Sequence, residues 1–207
     1  GESLAIVGAT GSGKSTIINA LCRFYEINKG DILFDGQSIK DINKFDLRKQ
    51  IALVQQDVFL FSGKVIDNIR LGNVQMSQEE IQSISTAVNS HNFINNFPLK
   101  YEQELIEGGG SISSGQRQLL SFARALAVKP QILVLDEATS SVDMDTERQI
   151  KNGIKEIIRG RTSIIIAHRL STLMHVDKVL VLQDGKIVEF GKRNELLQKR
   201  GVFYQLC

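Results

Sequence analysis

Two short stretches of this sequence combine side chains and backbone that could act on a polyanion. The run Gly8-Ala9-Thr10-Gly11-Ser12-Gly13-Lys14-Ser15-Thr16 fits the pattern G-x-x-x-x-G-K-[ST]. Its glycines let the backbone wrap closely, so that successive N–H groups can point at phosphate oxygens. A helix starting at its end would add partial positive charge. Lys14 is then expected to reach the β- and γ-phosphates, and the Ser15 hydroxyl to ligate Mg²⁺. The pattern implies a nucleoside triphosphate and leaves kinases, GTPases and motor ATPases open.

The second stretch, Ile132-Leu133-Val134-Leu135-Asp136-Glu137, sets two carboxylates at the end of an apolar run. Burying charge there is costly without partners. A bound Mg²⁺ would supply one for Asp136, and an attacking water one for Glu137 as general base or water-orienting group.

These groups need elements to hold them. Leu4–Val7 reads as a strand of a parallel sheet, covered on both faces, and a helix should follow from Lys14 to Tyr25. Asp31–Phe34 meets Asp35-Gly36, a hairpin signal, and further strands are expected at 51–54, 132–135 and 163–167. A last hairpin joins 179–182 to 186–188 through Asp184-Gly185. Between about 65 and 128 the pattern turns helical. The fold class expected is α/β: a P-loop NTPase core with a mostly parallel sheet, an inserted α-helical subdomain and antiparallel β hairpins. One domain is expected over 1–207, with about 65–128 as the helical part and the rest as the nucleotide-binding core.

Composition narrows the classes. The chain has 25 basic and 23 acidic side chains, a balance that argues against a nucleic-acid surface. Its two cysteines, Cys22 and Cys207, make no disulfide framework and fit a reducing compartment. No apolar run is long enough to span a membrane. The chain opens on Gly1 and enters a strand at once, without a signal peptide, and is read as a module truncated at its N-terminus.

A third stretch lies between the other two: Ile112-Ser113-Ser114-Gly115-Gln116-Arg117-Gln118, leading into Leu119–Leu126. It resembles the L-S-G-G-Q signature of the ABC ATPase family. The family's other elements follow its order: Gln56 in Val54-Gln55-Gln56-Asp57 matches the Q-loop, Ser140-Ser141-Val142-Asp143 resembles the D-loop, and His168 in Ala167-His168-Arg169-Leu170-Ser171-Thr172 matches the switch histidine. The strings Leu47–Gln50, Phe59–Gly63 and Ala167–Thr172 are similar to type-I exporters of drugs, lipids and peptides. Glu104 falls where such exporters carry a coupling glutamate, and Gly108 where many carry arginine. The family's adenine-stacking aromatic would lie upstream of Gly1.

The resemblance implies a head-to-tail dimer with an identical or homologous ABC ATPase domain, sandwiching two Mg-ATP. In it Ser113, Gly115 and Gln116 of one chain would meet the phosphates held by residues 8–16 of the other, with Asp143 linking the two sites. Gln56 would help ligate Mg²⁺ beside Ser15 and Asp136, and His168 would hold the γ-phosphate and orient water with Glu137. It further implies a transmembrane partner domain, no nucleic acid, and a place on the cytoplasmic face of a membrane within a transporter. A non-catalytic nucleotide switch would commonly lack the glutamate or the histidine, and both are present. Ser114 stands where the signature has glycine, a change that matters only if the backbone there needs a positive φ or a close approach.

Overall fold

A computed structural model describes residues 1–71, 73–136, 144–167, 173 and 176–206. In chain order the first elements are β1 (Ser3–Val7), α1 (Lys14–Leu21), β2 (Leu33–Phe34), β3 (Gln37–Ser38), α2 (Lys44–Lys49) and β4 (Ile51–Val54). There follow β5 (Gly63–Lys64), α3 (Val65–Arg70), α4 (Gln78–Ala87), α5 (His91–Asn95), β6 (Glu104–Leu105) and α6 (Ser114–Ala127). The chain continues with β7 (Ile132–Asp136), α7 (Met144–Ile158), β8 (Thr162–Ile166), β9 (Lys178–Gln183), β10 (Lys186–Lys192), α8 (Arg193–Lys199) and α9 (Val202–Leu206). They fall into two compact units. One gathers Gly1–Leu53, β7 and the chain from Gly160 on; the other gathers Val54–Pro130 and α7.

The first unit is built on a six-stranded sheet in the order β10-β9-β1-β8-β7-β4. β1 runs parallel to both β8 and β9, and β7 parallel to β8, while β10 returns antiparallel to β9. The central strands carry near-continuous apolar runs, as strands covered on both faces do. Ala5, Ile6, Leu133, Val134, Ile165 and Ile166 are all buried. On one face Ile18 and Leu21 of the first helix, and Cys22 just after it, pack with Ile6, Ile39, Leu47, Ile51, Val134 and Ile166. The β9–β10 hairpin turns at Asp184-Gly185, both with positive φ (49° and 74°), as a two-residue turn between right-twisting strands requires.

The second unit is mostly helical. α6 buries Leu119, Leu120, Ala123, Leu126 and Ala127, a stripe at helical spacing, and packs on α3, α4 and α7. From α7 the residues Ile150, Ile154 and Ile157 supply the facing stripe. Gly153 lets the two helices close in, since a Cβ there would stand 3.1 Å from the Phe122 ring. α4 starts from a reciprocal cap, with Ser77 Oγ accepting from Glu80 N–H and the Glu80 carboxylate accepting from Ser77 N–H. The stretch 65–128 lies in this unit, which also holds α7, a helix that packs on α6.

Candidate functional site: a phosphate loop and a capped turn

In the first unit, residues 8–13 leave the end of β1 and deliver the chain into α1. The loop is pinned by the Ser12 N–H donating to Ala9 O (3.1 Å) and the Gly185 N–H donating to Ser12 O (3.1 Å). At Gly8 nothing larger than hydrogen fits, because a Cβ would overlap the Leu182 carbonyl oxygen and stand 2.8 Å from Ser12 Oγ. Ala9, Thr10, Gly11, Ser15 and Thr16 are exposed around the rim of the loop.

Lys14 lies within the curve, only 6% exposed, and its Nζ donates to Gly8 O (2.9 Å) and Ala9 O (3.0 Å). Burial lowers its pKa from the ordinary lysine value, and the charge on Asp136 opposes the shift without cancelling it. Ser12 Oγ is buried and among the described residues has no hydrogen-bond partner. The first N–H groups of α1 have no acceptor within the helix. A buried cation whose hydrogen bonds among the described residues go to neutral carbonyls, a hydroxyl without a partner there and the first N–H groups of a helix together fit an anion with many acceptor oxygens.

Asp136 ends β7, opposite Ile166 of β8 in the parallel register. Because β8 lies between β7 and β1, the carboxylate and the loop emerge from the same end of the sheet, where ligands of open α/β sheets bind. Among the described residues no group of three or more His, Cys, Asp or Glu could hold a metal. An Mg²⁺ site needs no such cluster, since one carboxylate, a hydroxyl and phosphate oxygens suffice. Glu137, Asp143 and His168 lie outside the described residues.

The second unit holds the remaining candidates. Ser113 is the N-cap of α6: its Oγ accepts from Gln116 N–H (3.2 Å), and Gln116 Oε1 accepts from Ser113 N–H (3.1 Å). Ser114 is the first helical residue and keeps a negative φ, so nothing in the backbone requires glycine there. The cap is Ser113, as its S-x-x-Q spacing to Gln116 indicates. Gly115 is buried in the first turn of the helix. Arg117 steadies the preceding turn by donating from Nη1 to Ile112 O (2.8 Å) and Gly109 O (3.3 Å). Gln56 is exposed on the bend after β4, and Glu104 is exposed on β6. The sequence reading missed the clasp of Arg124 on Asn68, for which the sequence carried no signal.

A family model described as "ABC transporter" matches residues 1–140. A fatty acid ABC transporter ATP-binding/permease protein of Mycobacterium bovis is 47% identical over 206 residues, covering 100% of this chain and 33% of the relative. A putative multidrug export ATP-binding/permease protein of Staphylococcus aureus is 46% identical over 206 residues, 100% of this chain and 36% of its own. An ABC transporter ATP-binding protein of Bacillus subtilis is 44% identical over 206 residues, 100% of this chain and 34% of its own. The chain thus spans about a third of the length of these relatives.

Proposed function

The chain belongs to the ABC transporter family, and we propose that it is the ATP-hydrolysing motor domain of an exporter. The observation that carries this is the buried Lys14 ammonium, which among the described residues donates to two carbonyls beside a Ser12 hydroxyl without a hydrogen-bond partner. When ATP enters, Lys14 exchanges those carbonyls for β- and γ-phosphate oxygens, and the Ser12 hydroxyl gains an acceptor. Mg²⁺ neutralises charge on the phosphates when bound, and the Ser15 hydroxyl, the Asp136 carboxylate and the Gln56 amide are the groups offered to it. Glu137 takes the proton of the attacking water, whose oxygen bonds to the γ-phosphorus as the bond to the bridging oxygen breaks. His168 orients the γ-phosphate and that water.

A second, identical or homologous domain completes each site. The capped N-terminus of α6, with Ser113, Gly115 and Gln116, presents its N–H groups and dipole to the γ-phosphate bound by the other copy. Asp143 links the two sites. ATP then holds the dimer closed, and hydrolysis removes the charge that held it. The relatives named as ATP-binding/permease proteins, one of them for multidrug export, support a transmembrane partner domain; a place on the cytoplasmic face of the membrane belongs to the same proposal. Among the described residues no helix is long and apolar enough to cross one.

The direct test is nucleotide binding to the native chain and to Lys14→Met, followed by a fluorescent ATP analogue. Binding by the native chain that the variant loses is expected. Equal binding by both would overturn the reading.

A further inference from the structure

The second unit contains a half-buried cation that the site described above does not use. Arg124 lies on α6, seven residues after Arg117 and so on the same face two turns along. Its Nε donates to Asn68 O (2.9 Å), its Nη1 to Phe59 O (2.9 Å) and its Nη2 to Asn68 Oδ1 (3.0 Å). All three acceptors are neutral, and among the described residues no carboxylate pairs with it. Burial alone depresses its pKa from the ordinary arginine value. The guanidinium also stands 5.8 Å from the centre of the Phe61 ring.

Asn68 relays this grip. It is 2% exposed, and its Nδ2 donates to Phe61 O (2.9 Å) and Lys64 O (3.2 Å) while its Oδ1 accepts from Phe61 N–H (3.0 Å). The fork of Arg124 therefore fastens one helix to both ends of the 59–68 segment. Nearer the start of the same helix, Arg117 fastens the turn leading into Ser113, and Gly108 N–H adds a bond to Leu60 O (2.8 Å). A cation without a counter-ion is an expensive way to join two elements. Its gain is geometric: a planar fork fixes three acceptors at once, which a point-charge ammonium cannot do.

We propose that Arg124 is a positioning residue that locks the helix carrying Ser113 and Gln116 to the 59–68 segment following Gln56, so that displacement of either is passed to the other. This rests on the reading of Ser113–Gln116 as the phosphate-facing turn of a composite site. Breaking the clasp leaves the phosphate loop of the first unit untouched. It lets the capped turn drift relative to Gln56, which lowers turnover and spares nucleotide binding.

The test compares the native chain with Arg124→Lys, which keeps charge and stem but loses the fork, and with Arg124→Gln. Nucleotide affinity within about twofold of native, with kcat lowered about tenfold or more in both, is the expected split. Amide exchange in 59–68 should accelerate about tenfold, with β1 and α1 unchanged. A folded Arg124→Lys with native kcat overturns the proposal, whatever its exchange. So does a loss of kcat accompanied by lost nucleotide binding and a lower melting temperature, which would mark a merely structural role. If the native chain shows no Lys14-dependent hydrolysis, the motor reading fails, and the exchange comparison still decides whether the clasp locks the segment. If Arg124→Gln does not fold, Arg124→Lys alone decides.

Discussion

Burial lowers the pKa of the Lys14 amine below its ordinary value. Its folded pKa lies below the unfolded one, so at pH values below the folded pKa the charged amine opposes folding. That penalty shrinks as pH rises from the folded pKa towards the unfolded one. Lys14→Met at neutral pH is therefore expected to melt no lower than the native chain while losing all stabilisation by ATP. The native chain should gain about 2.7 kcal/mol at a hundredfold excess of ATP over its Kd. A variant that melts several degrees lower would mean that the amine–carbonyl bonds outweigh the desolvation. Ser114 is a different case, because its helical backbone makes no demand for glycine. Phosphate release by Ser114→Gly is expected to stay within about threefold of native, with up to about 1 kcal/mol lost from the helix. A rise above about tenfold would show that the native turn is impaired. The phosphate loop was legible because its glycine, lysine and hydroxyl spacing is tied to one backbone conformation. Arg124 was not, since a guanidinium's partners depend on which loop passes beneath it.

At the scale of elements, the start of β1 is fastened to the start of β9 by one carboxylate. Asp177 Oδ2 accepts from Ser3 N–H (2.8 Å) and Ser3 Oγ–H (2.7 Å), and Asp177 N–H donates back to Ser3 Oγ (3.0 Å). The backbone bond first, then the hydroxyl, hold the Asp177 carboxyl below its ordinary pKa. A depressed carboxylate contributes stability above its unfolded pKa and loses it as pH falls through the folded one. Asp177 is exposed, so the contribution is modest. Asp177→Asn should accordingly show a shallower fall in melting temperature below about pH 4. Parallel acid limbs would contradict this pin. Glu26, Glu79 and Glu80 are also depressed and form a background common to both chains. Local pattern sufficed for the central strands, whose continuous apolar runs admit no other reading. It failed at the end of α1, expected to reach Tyr25 and found to stop at Leu21. There Arg23 turns to φ 49° and donates from Nη1 to Ile39 O and Ile42 O, both at 2.7 Å. Those acceptors lie beyond the next hairpin and leave no local signal.

Across the whole molecule, the candidate site residues are divided between two units. The phosphate loop and Asp136 belong to the sheet unit, and the capped turn of α6 and Gln56 to the helical one. The sequence showed the alternation of strands and helices, and thereby the fold class, because periodicity is local. It did not show that α7 packs with the helical unit. Its stripe of Ile150, Ile154 and Ile157 suits any apolar surface, and only long-range packing selects α6. On the proposed reading a single copy binds ATP, and efficient turnover needs a second copy to bring Ser113 to the γ-phosphate.

The most direct test is phosphate release from Mg-ATP as a function of protein concentration, for the native chain and for Glu137→Gln. A native specific rate that climbs with concentration, and is abolished by the substitution, is the predicted result. A native rate independent of concentration, or a Glu137→Gln chain as active as the native one, would contradict the account.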